Sequence, residues 1–140
     1  MTKVFYHNDP DGFCAAYWVR KHLENEGIPF TSEDFIEMNY DKQFPSEIIQ
    51  IGEQVFMVDF SLNDPTAMLA LNQMCDFTWI EHHKTAIDKM GDCKIKGIRQ
   101  DGIAACALTW TYLIGNGRDN TNSSRFIGMP MFTKYIHLWD

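Results

Sequence analysis

Three short apolar runs in the sequence are each followed directly by acidic or imidazole side chains. The runs are K-V-F-Y, V-F-M-V and F-T-W-I, at residues 3–6, 55–58 and 77–80. The side chains that follow them are His7, Asp9 and Asp11 after the first run, Asp59 after the second, and Glu81, His82 and His83 after the third. If these groups meet in the fold, the acids repel one another unless cations lie among them. The sequence therefore points to a metal centre.

The elements that would position these groups alternate between strands and helices. The apolar runs are short and rich in β-branched and aromatic residues, which is typical of buried strands. Strands are expected at residues 3–7, 30–38, 77–80 and 94–98, with a further strand that ends at residue 59. Helices are expected at residues 12–26, 45–51 and 103–114, and others are expected to begin at residue 65, just after the histidine pair and at residue 130. A loop is expected at residues 115–124. This alternation predicts an α/β fold, a doubly wound, mostly parallel sheet with helices on both faces. The carboxyl ends of parallel strands share one edge, where open α/β sheets bind ligands.

Each motif also has a simpler interpretation. The residues of H-N-D-P-D-G are those of an ordinary capped turn. A calcium loop fits less well than either a metal site or a capped turn, because counting from Asp9 the sixth position is Cys14 rather than glycine and the twelfth is Arg20 rather than glutamate. His82 and His83 could be two surface residues. Because adjacent side chains diverge, one of them could instead bind a metal while the other faces a substrate.

Taken together, the three segments resemble the DHH family of phosphoesterases over roughly residues 3 to 140. The family pattern is H-x-D-x-D-G after the first strand, an aspartate after a later strand, then D-H-H and a basic residue. This chain has H-N-D-P-D-G at residues 7–12, Asp59, and E-H-H-K-T at residues 81–85. The subgroup that it looks most like is the small-oligonucleotide phosphodiesterases, with a weaker likeness to family II pyrophosphatases.

The resemblance implies a role for each of these positions. His7 and Asp9 would hold one ion, Asp11 and His82 the other, Asp59 would bridge both, and His83 would contact the scissile phosphate. A further metal-binding aspartate is expected downstream, with Asp140 the best candidate, Asp101 and Asp119 its rivals, and Asp101 expected instead to cap the helix after Gly102. Mixed imidazole and carboxylate ligands favour Mn²⁺, with Mg²⁺ or Co²⁺ as substitutes. Lys84 and Arg99 follow strands on the same edge and are candidates to bind substrate phosphate, as are the backbone donors near Gly102.

Two features depart from the family pattern. Glu81 stands where the family has its first aspartate, a residue that orients the histidines rather than binding metal. The sequence also ends at Asp140, so residues 1–140 are expected to form a single catalytic domain without the family's C-terminal substrate domain, either naturally or because the sequence is a fragment. The expected activity is metal-dependent cleavage of phosphodiester bonds in short oligonucleotides or dinucleotides. Alternatives are a nucleotide phosphomonoesterase, an inorganic pyrophosphatase, or a non-catalytic module that binds a nucleotide or a partner. A second copy of the chain could supply the missing wall of the cleft.

Composition restricts the partners. The 140 residues fit one domain, and the net charge of −7 argues against broad binding to duplex DNA, which needs a basic face. The longest apolar stretch, residues 103–114, is too short to span a bilayer, and no secretory signal precedes the first strand, so a cytoplasmic location is expected. Four cysteines without C-x-x-C pairing predict reduced, buried thiols. The tryptophans (Trp18, Trp79, Trp110 and Trp139) are expected in the core rather than in a base-stacking surface.

Overall fold

Five parallel strands form one sheet in the computed structural model, which describes residues 1–115 and 128–140. The strands are β1 (Thr2–His7), β2 (Phe35–Met38), β3 (Gln54–Val58), β4 (Asp76–Glu81) and β5 (Lys96–Arg99). Their order in the sheet is β2-β1-β3-β4-β5, and every neighbouring pair is parallel. The central strands β1, β3 and β4 contain the three short apolar runs, because both of their faces are covered.

Helices cover the sheet on both faces. They are α1 (Pro10–Asn25), α2 (Pro65–Met74), α3 (Lys84–Met90), α4 (Ala105–Leu113) and α5 (Met131–Trp139). One core cluster joins α1 and α4 to the side chains of one sheet face, with Ile136 of α5 packed against it. A second cluster joins α2 to the opposite face, with Ala86 and Met90 of α3 at its margin. The predicted doubly wound α/β fold is confirmed.

Several predicted boundaries are wrong by a few residues. The second strand was expected over residues 30–38 but begins at Phe35, since a 3₁₀ turn at Ser32–Asp34 precedes it. That turn forms because the Asp34 carboxylate accepts hydrogen bonds from the backbone amide and hydroxyl of Thr31, which competes with strand pairing. The helix expected near residues 45–51 is likewise only a 3₁₀ turn at Ser46–Ile48. Most of the predicted loop at 115–124 lies outside the described residues.

The predictions for thiols and tryptophans can also be compared with the structure. All four cysteines are free, as predicted, and all but the half-buried Cys93 are buried. Trp18, Trp79 and Trp110 lie in the core, but Trp139 is 88% exposed, so its predicted core location is wrong. Across the two described ranges, no helix has both the length and the apolar character to cross a membrane.

Candidate metal centre

The strand register places the three motifs side by side. Tyr6 of β1 pairs with Val58 of β3, and Val58 pairs with Ile80 of β4. The residues that follow these partners are His7, Asp59 and Glu81, which therefore lie in one row at the carboxyl edge of the central strands. This row forms because β1, β3 and β4 are neighbours in the sheet, although 52 residues separate His7 from Asp59 in the sequence.

Glycine at position 12 brings the first acidic loop close to the sheet. A Cβ atom at Gly12 would lie 1.8 Å from the carbonyl oxygen of His7, so no other residue fits between α1 and the end of β1. The start of α1 therefore lies directly over the row of strand ends. Asp9 caps this helix by accepting the Gly12 amide at 2.8 Å.

Six candidate ligands form two groups whose oxygen and nitrogen atoms lie within 4.8 Å of one another. One group is His7, Asp9 and Asp59, and the other is Asp11, His82 and Asp140. The His82 Nε2 atom connects the groups, since it lies 3.0 Å from Asp59 Oδ1, 3.3 Å from Asp11 Oδ2 and 3.6 Å from Asp140 Oδ2. The structure thus brings together the six preferred candidate ligands, in two sets that meet at Asp59 and His82, and Asp101 belongs to neither set. A third, overlapping group consists of Asp59, Glu81, His82 and His83.

Asp59 is the most unusual residue of the site. Its side chain is fully buried, and neither carboxylate oxygen makes a well-formed hydrogen bond with a described residue, although Oδ1 lies 3.0 Å from Nε2 of His82. Its backbone adopts a φ of 55°, the only positive φ of a described residue other than glycine. Burial and the negative charge of Asp11 raise the pKa of Asp59 to about 11. A buried carboxylate without a well-formed hydrogen bond fits a ligand of divalent cations, because a cation would replace the missing hydrogen bonds and stabilise the ionised form.

The other carboxylates differ from Asp59 in their partners. Burial alone would raise the pKa of Asp9, but the hydrogen bond from the Gly12 amide and the nearby His7 ring hold it below its usual value. His7 Nδ1 lies 2.8 Å from Asp9 Oδ2, which fixes both side chains. Asp140 follows α5 and is partly exposed, and burial together with the charge of Asp11 raises its pKa.

Asp11 has a structural role that the sequence analysis missed. Its two oxygens accept the backbone amides of Ala105 at 3.0 Å and Cys106 at 2.7 Å, so that it caps the start of α4 across 94 residues of sequence. The prediction that Asp101 caps this helix is therefore wrong. The backbone donors expected near Gly102 are also partly used, since the amides of Ala105 and Cys106 donate to Asp11 and that of Ala104 donates to His137 Nδ1 at 3.1 Å. Asp11 joins α1, α4 and the metal centre.

Glu81 orients the histidine pair, His82 and His83, from its buried position at the end of β4. It is fully buried, and its Oε1 atom accepts the backbone amides of His82 and His83 and lies 2.7 Å from Nδ1 of His83. The hydrogen bond to Glu81 raises the pKa of His83. Because Nδ1 is held by this carboxylate, the Nε2 atom of His83 is the ring nitrogen left for a substrate. The geometry is that of a residue that orients ligands, as the resemblance implies for this position.

The two basic candidates have different positions. Lys84 lies at the rim of the site, where its exposed amine pairs with Asp88 at 2.7 Å. Arg99 is aligned with Glu81 in the sheet, but its guanidinium turns back along the strands and donates to the carbonyls of Trp79 and Ile95. The guanidinium also lies over the Trp79 ring at 5.1 Å. The structure therefore does not bring Arg99 to the metal centre, because main-chain carbonyls at the sheet edge hold it.

Two cavities flank His83. One, of about 320 Å³, lies between the histidine pair and the start of α4 and is also lined by Lys84, His137 and Asp140. The other, of about 230 Å³, lies on the opposite side and is lined by Tyr40, Ser61, Asn63 and Lys89. Sequence analysis missed His137 and Tyr40. His137 could have been found, because it lies three residues before Asp140 and so shares a helix face with it. Tyr40 lies in a loop with no recognisable pattern.

Comparison with known proteins adds no further assignment. No family model, curated protein or solved structure matches this chain. Asp119, one rival for the last ligand position, lies outside the described residues. Membership of the DHH phosphoesterases therefore stays a proposal that rests on the motifs and on the geometry described above.

Proposed function

We propose that this protein is a metal-dependent phosphohydrolase of the DHH type that cleaves phosphodiester bonds in short oligonucleotides or dinucleotides. The observation that carries the proposal is Asp59, a fully buried carboxylate without a well-formed hydrogen bond that lies within reach of both groups of candidate metal ligands. An unpaired buried carboxylate lowers stability unless a cation neutralises it, which supports a metal-binding role for Asp59.

The chain's own residues would have distinct roles. Two divalent ions, Mn²⁺ in the first instance, would supply an activated water and neutralise charge on the phosphate when bound. His7, Asp9 and Asp59 would hold one ion, and Asp11, His82 and Asp140 the other with Asp59 shared. The hydrogen bond to Glu81 raises the pKa of His83 and so favours its protonated form. Protonated His83 would donate a hydrogen bond from Nε2 to a phosphate or leaving-group oxygen. Lys84 at the rim would attract the anionic substrate.

The cavities favour a diester over a monoester. A phosphodiester carries an organic group on both sides of phosphorus, and cavities lie on both sides of His83. A monoester or pyrophosphate needs only one of them. The two cavities, of about 230 and 320 Å³, are small, which suits short substrates rather than a long folded strand.

The activity is tested by adding Mn²⁺ and measuring the products from a dinucleotide, a nucleoside monophosphate and pyrophosphate. We expect the dinucleotide to be cleaved fastest. Asp59→Asn should abolish hydrolysis, whereas Asp64→Asn, which keeps a capping side chain at the start of α2, should not. Faster hydrolysis of pyrophosphate or the monophosphate would favour those alternatives.

Metal binding is tested separately from catalysis by thermal unfolding. An ion that binds only the folded state stabilises it by RT ln(1 + [L]/Kd), about 2.7 kcal/mol at a hundredfold excess over Kd. We expect Mn²⁺ to raise the Tm of the wild type and of Asp64→Asn but not of Asp59→Asn. Metal-dependent stabilisation without hydrolysis of any substrate would instead indicate a non-catalytic binding module.

A further inference from the structure

The outer face of α5 exposes a continuous row of large apolar side chains. They are Met131, Phe132, Tyr135, Leu138 and Trp139, at helical spacing, and Tyr17 of α1 joins them through a ring contact with Phe132 at 5.6 Å. We call these six residues the α5 stripe. The inner face of the same helix is already packed, with Thr133 buried and Ile136 against the core. A helix that is apolar on both faces is normally buried on both.

The stripe is large enough for a protein interface. The exposed fractions are 88% for Trp139, 75% for Leu138, 64% for Met131, 57% for Tyr135, 46% for Phe132 and 40% for Tyr17. At ~200 Å² for each whole side chain, these fractions amount to roughly 700 Å². A standard interface takes about 800 Å² from each partner, and apolar patches of this size on a free surface are uncommon.

The shape of this surface suits a second copy of the same chain. A hollow of about 290 Å³ lies beside the stripe, with mostly apolar walls that include Pro10, Tyr135 and Trp139, and Asp140 at its margin. Leu138 does not line this hollow and is largely exposed next to it. In a two-fold contact, the projecting residue of each copy meets the hollow of the other.

Charge also favours a copy of this chain over a polyanion. None of the six side chains is charged, so two stripes can meet without like charges being buried. On α5 itself the cationic side chains are Lys134 and, when protonated, His137, too few for the basic face that a nucleic acid or an anionic membrane requires.

We propose that the α5 stripe is the interface of a homodimer, in which Leu138 of each copy occupies the hollow beside Asp140 of the other. The contact would hold α5, and with it Asp140, in place beside the metal centre, and would close the outer side of that centre. The proposal does not depend on the proposed function.

The test is the mass of the protein in solution, measured by light scattering and sedimentation over micromolar concentrations. We expect the wild type to have about twice the 16.3 kDa of the chain. Leu138→Glu and, independently, Met131→Glu should halve this mass while the far-UV circular dichroism stays that of the wild type. Leu69→Glu is the matched control, because Leu69 is a 45% exposed leucine on α2, and this variant should remain dimeric.

A wild-type protein with a mass of 16.3 kDa at every concentration would overturn the proposal. The proposal would also be overturned if the Leu138→Glu and Met131→Glu variants both folded and both remained dimeric. A monomeric wild type that sediments with phosphatidylcholine vesicles would overturn it in favour of a membrane surface.

Discussion

The substitution Asp59→Asn should stabilise the metal-free protein while it removes metal binding. The pKa of Asp59 is raised from 3.8 to about 11, so the folded state favours the protonated carboxyl and the unfolded state the ionised one at neutral pH. Asparagine keeps the shape, lacks the ionisation, and tolerates the positive φ of this position better than other residues do.

The magnitude follows from the linkage of protons to folding. A group whose pKa is raised on folding contributes stability that is fully present below its unfolded pKa and is lost as the pH rises toward the folded pKa. The loss is about 1.4 kcal/mol per pH unit for one proton. Between pH 3.8, the ordinary pKa of Asp59, and pH 7 the loss of stability reaches about 4 kcal/mol. This loss is the upper limit of the stability that Asp59→Asn is expected to restore.

The assay is urea unfolding of both proteins with a chelator present, from about pH 5 to about pH 8. The difference in free energy of unfolding between Asp59→Asn and wild type should grow steadily as the pH rises. Asp59→Ala is a useful control, since it also removes the charge but strains a backbone with positive φ at a cost of about 1–3 kcal/mol. Equal pH dependence in wild type and Asp59→Asn would refute the reasoning, because it would mean that Asp59 is ionised in the metal-free fold.

Three further substitutions, with Asp64→Ala as a control, test other parts of the site. Glu81→Gln should lower the pKa of His83, as measured by NMR titration of the metal-free protein, and an unchanged midpoint would contradict the orienting role of Glu81. Asp11→Ala removes the cap of α4, so it should lower the free energy of unfolding by about 1–2 kcal/mol and also abolish stabilisation by Mn²⁺. The control Asp64→Ala removes the cap of α2, so it should lower the free energy of unfolding by about 1 kcal/mol but leave stabilisation by Mn²⁺ intact. Gly12→Ala should cost about 3 kcal/mol or more in chemical denaturation, since its Cβ would overlap the end of β1, and a stability equal to wild type would mean that α1 moves away freely.

Asp11 links the metal centre to the packing of the helices. Its carboxylate lies within reach of His82 and at the same time caps α4, which packs closely against α1. An ion bound at Asp11 would therefore be held by a carboxylate that also caps α4. We expect metal loading to protect the backbone amides at the start of α4 from hydrogen exchange, since binding and local stability are coupled through this side chain.

Much of the fold could be predicted from the sequence because its elements are locally consistent. The central strands are short apolar runs, α2 begins at an aspartate followed by proline, and α4 repeats apolar residues at helical spacing. The parallel arrangement follows from the alternation of strands and helices. The boundaries of β2 could not be predicted, because a local side-chain bond at Thr31 competes with strand formation there.

The sequence by itself predicted which imidazole and carboxylate groups could meet at one edge of the sheet, because these groups follow directly after apolar runs that form parallel strands. Only the tertiary structure decided how each group is used. Asp11 caps a helix that is 94 residues away, the Arg99 guanidinium turns back to main-chain carbonyls, and Trp139 is exposed rather than buried. These outcomes depend on which elements become neighbours in space, and a local sequence pattern does not determine those neighbours.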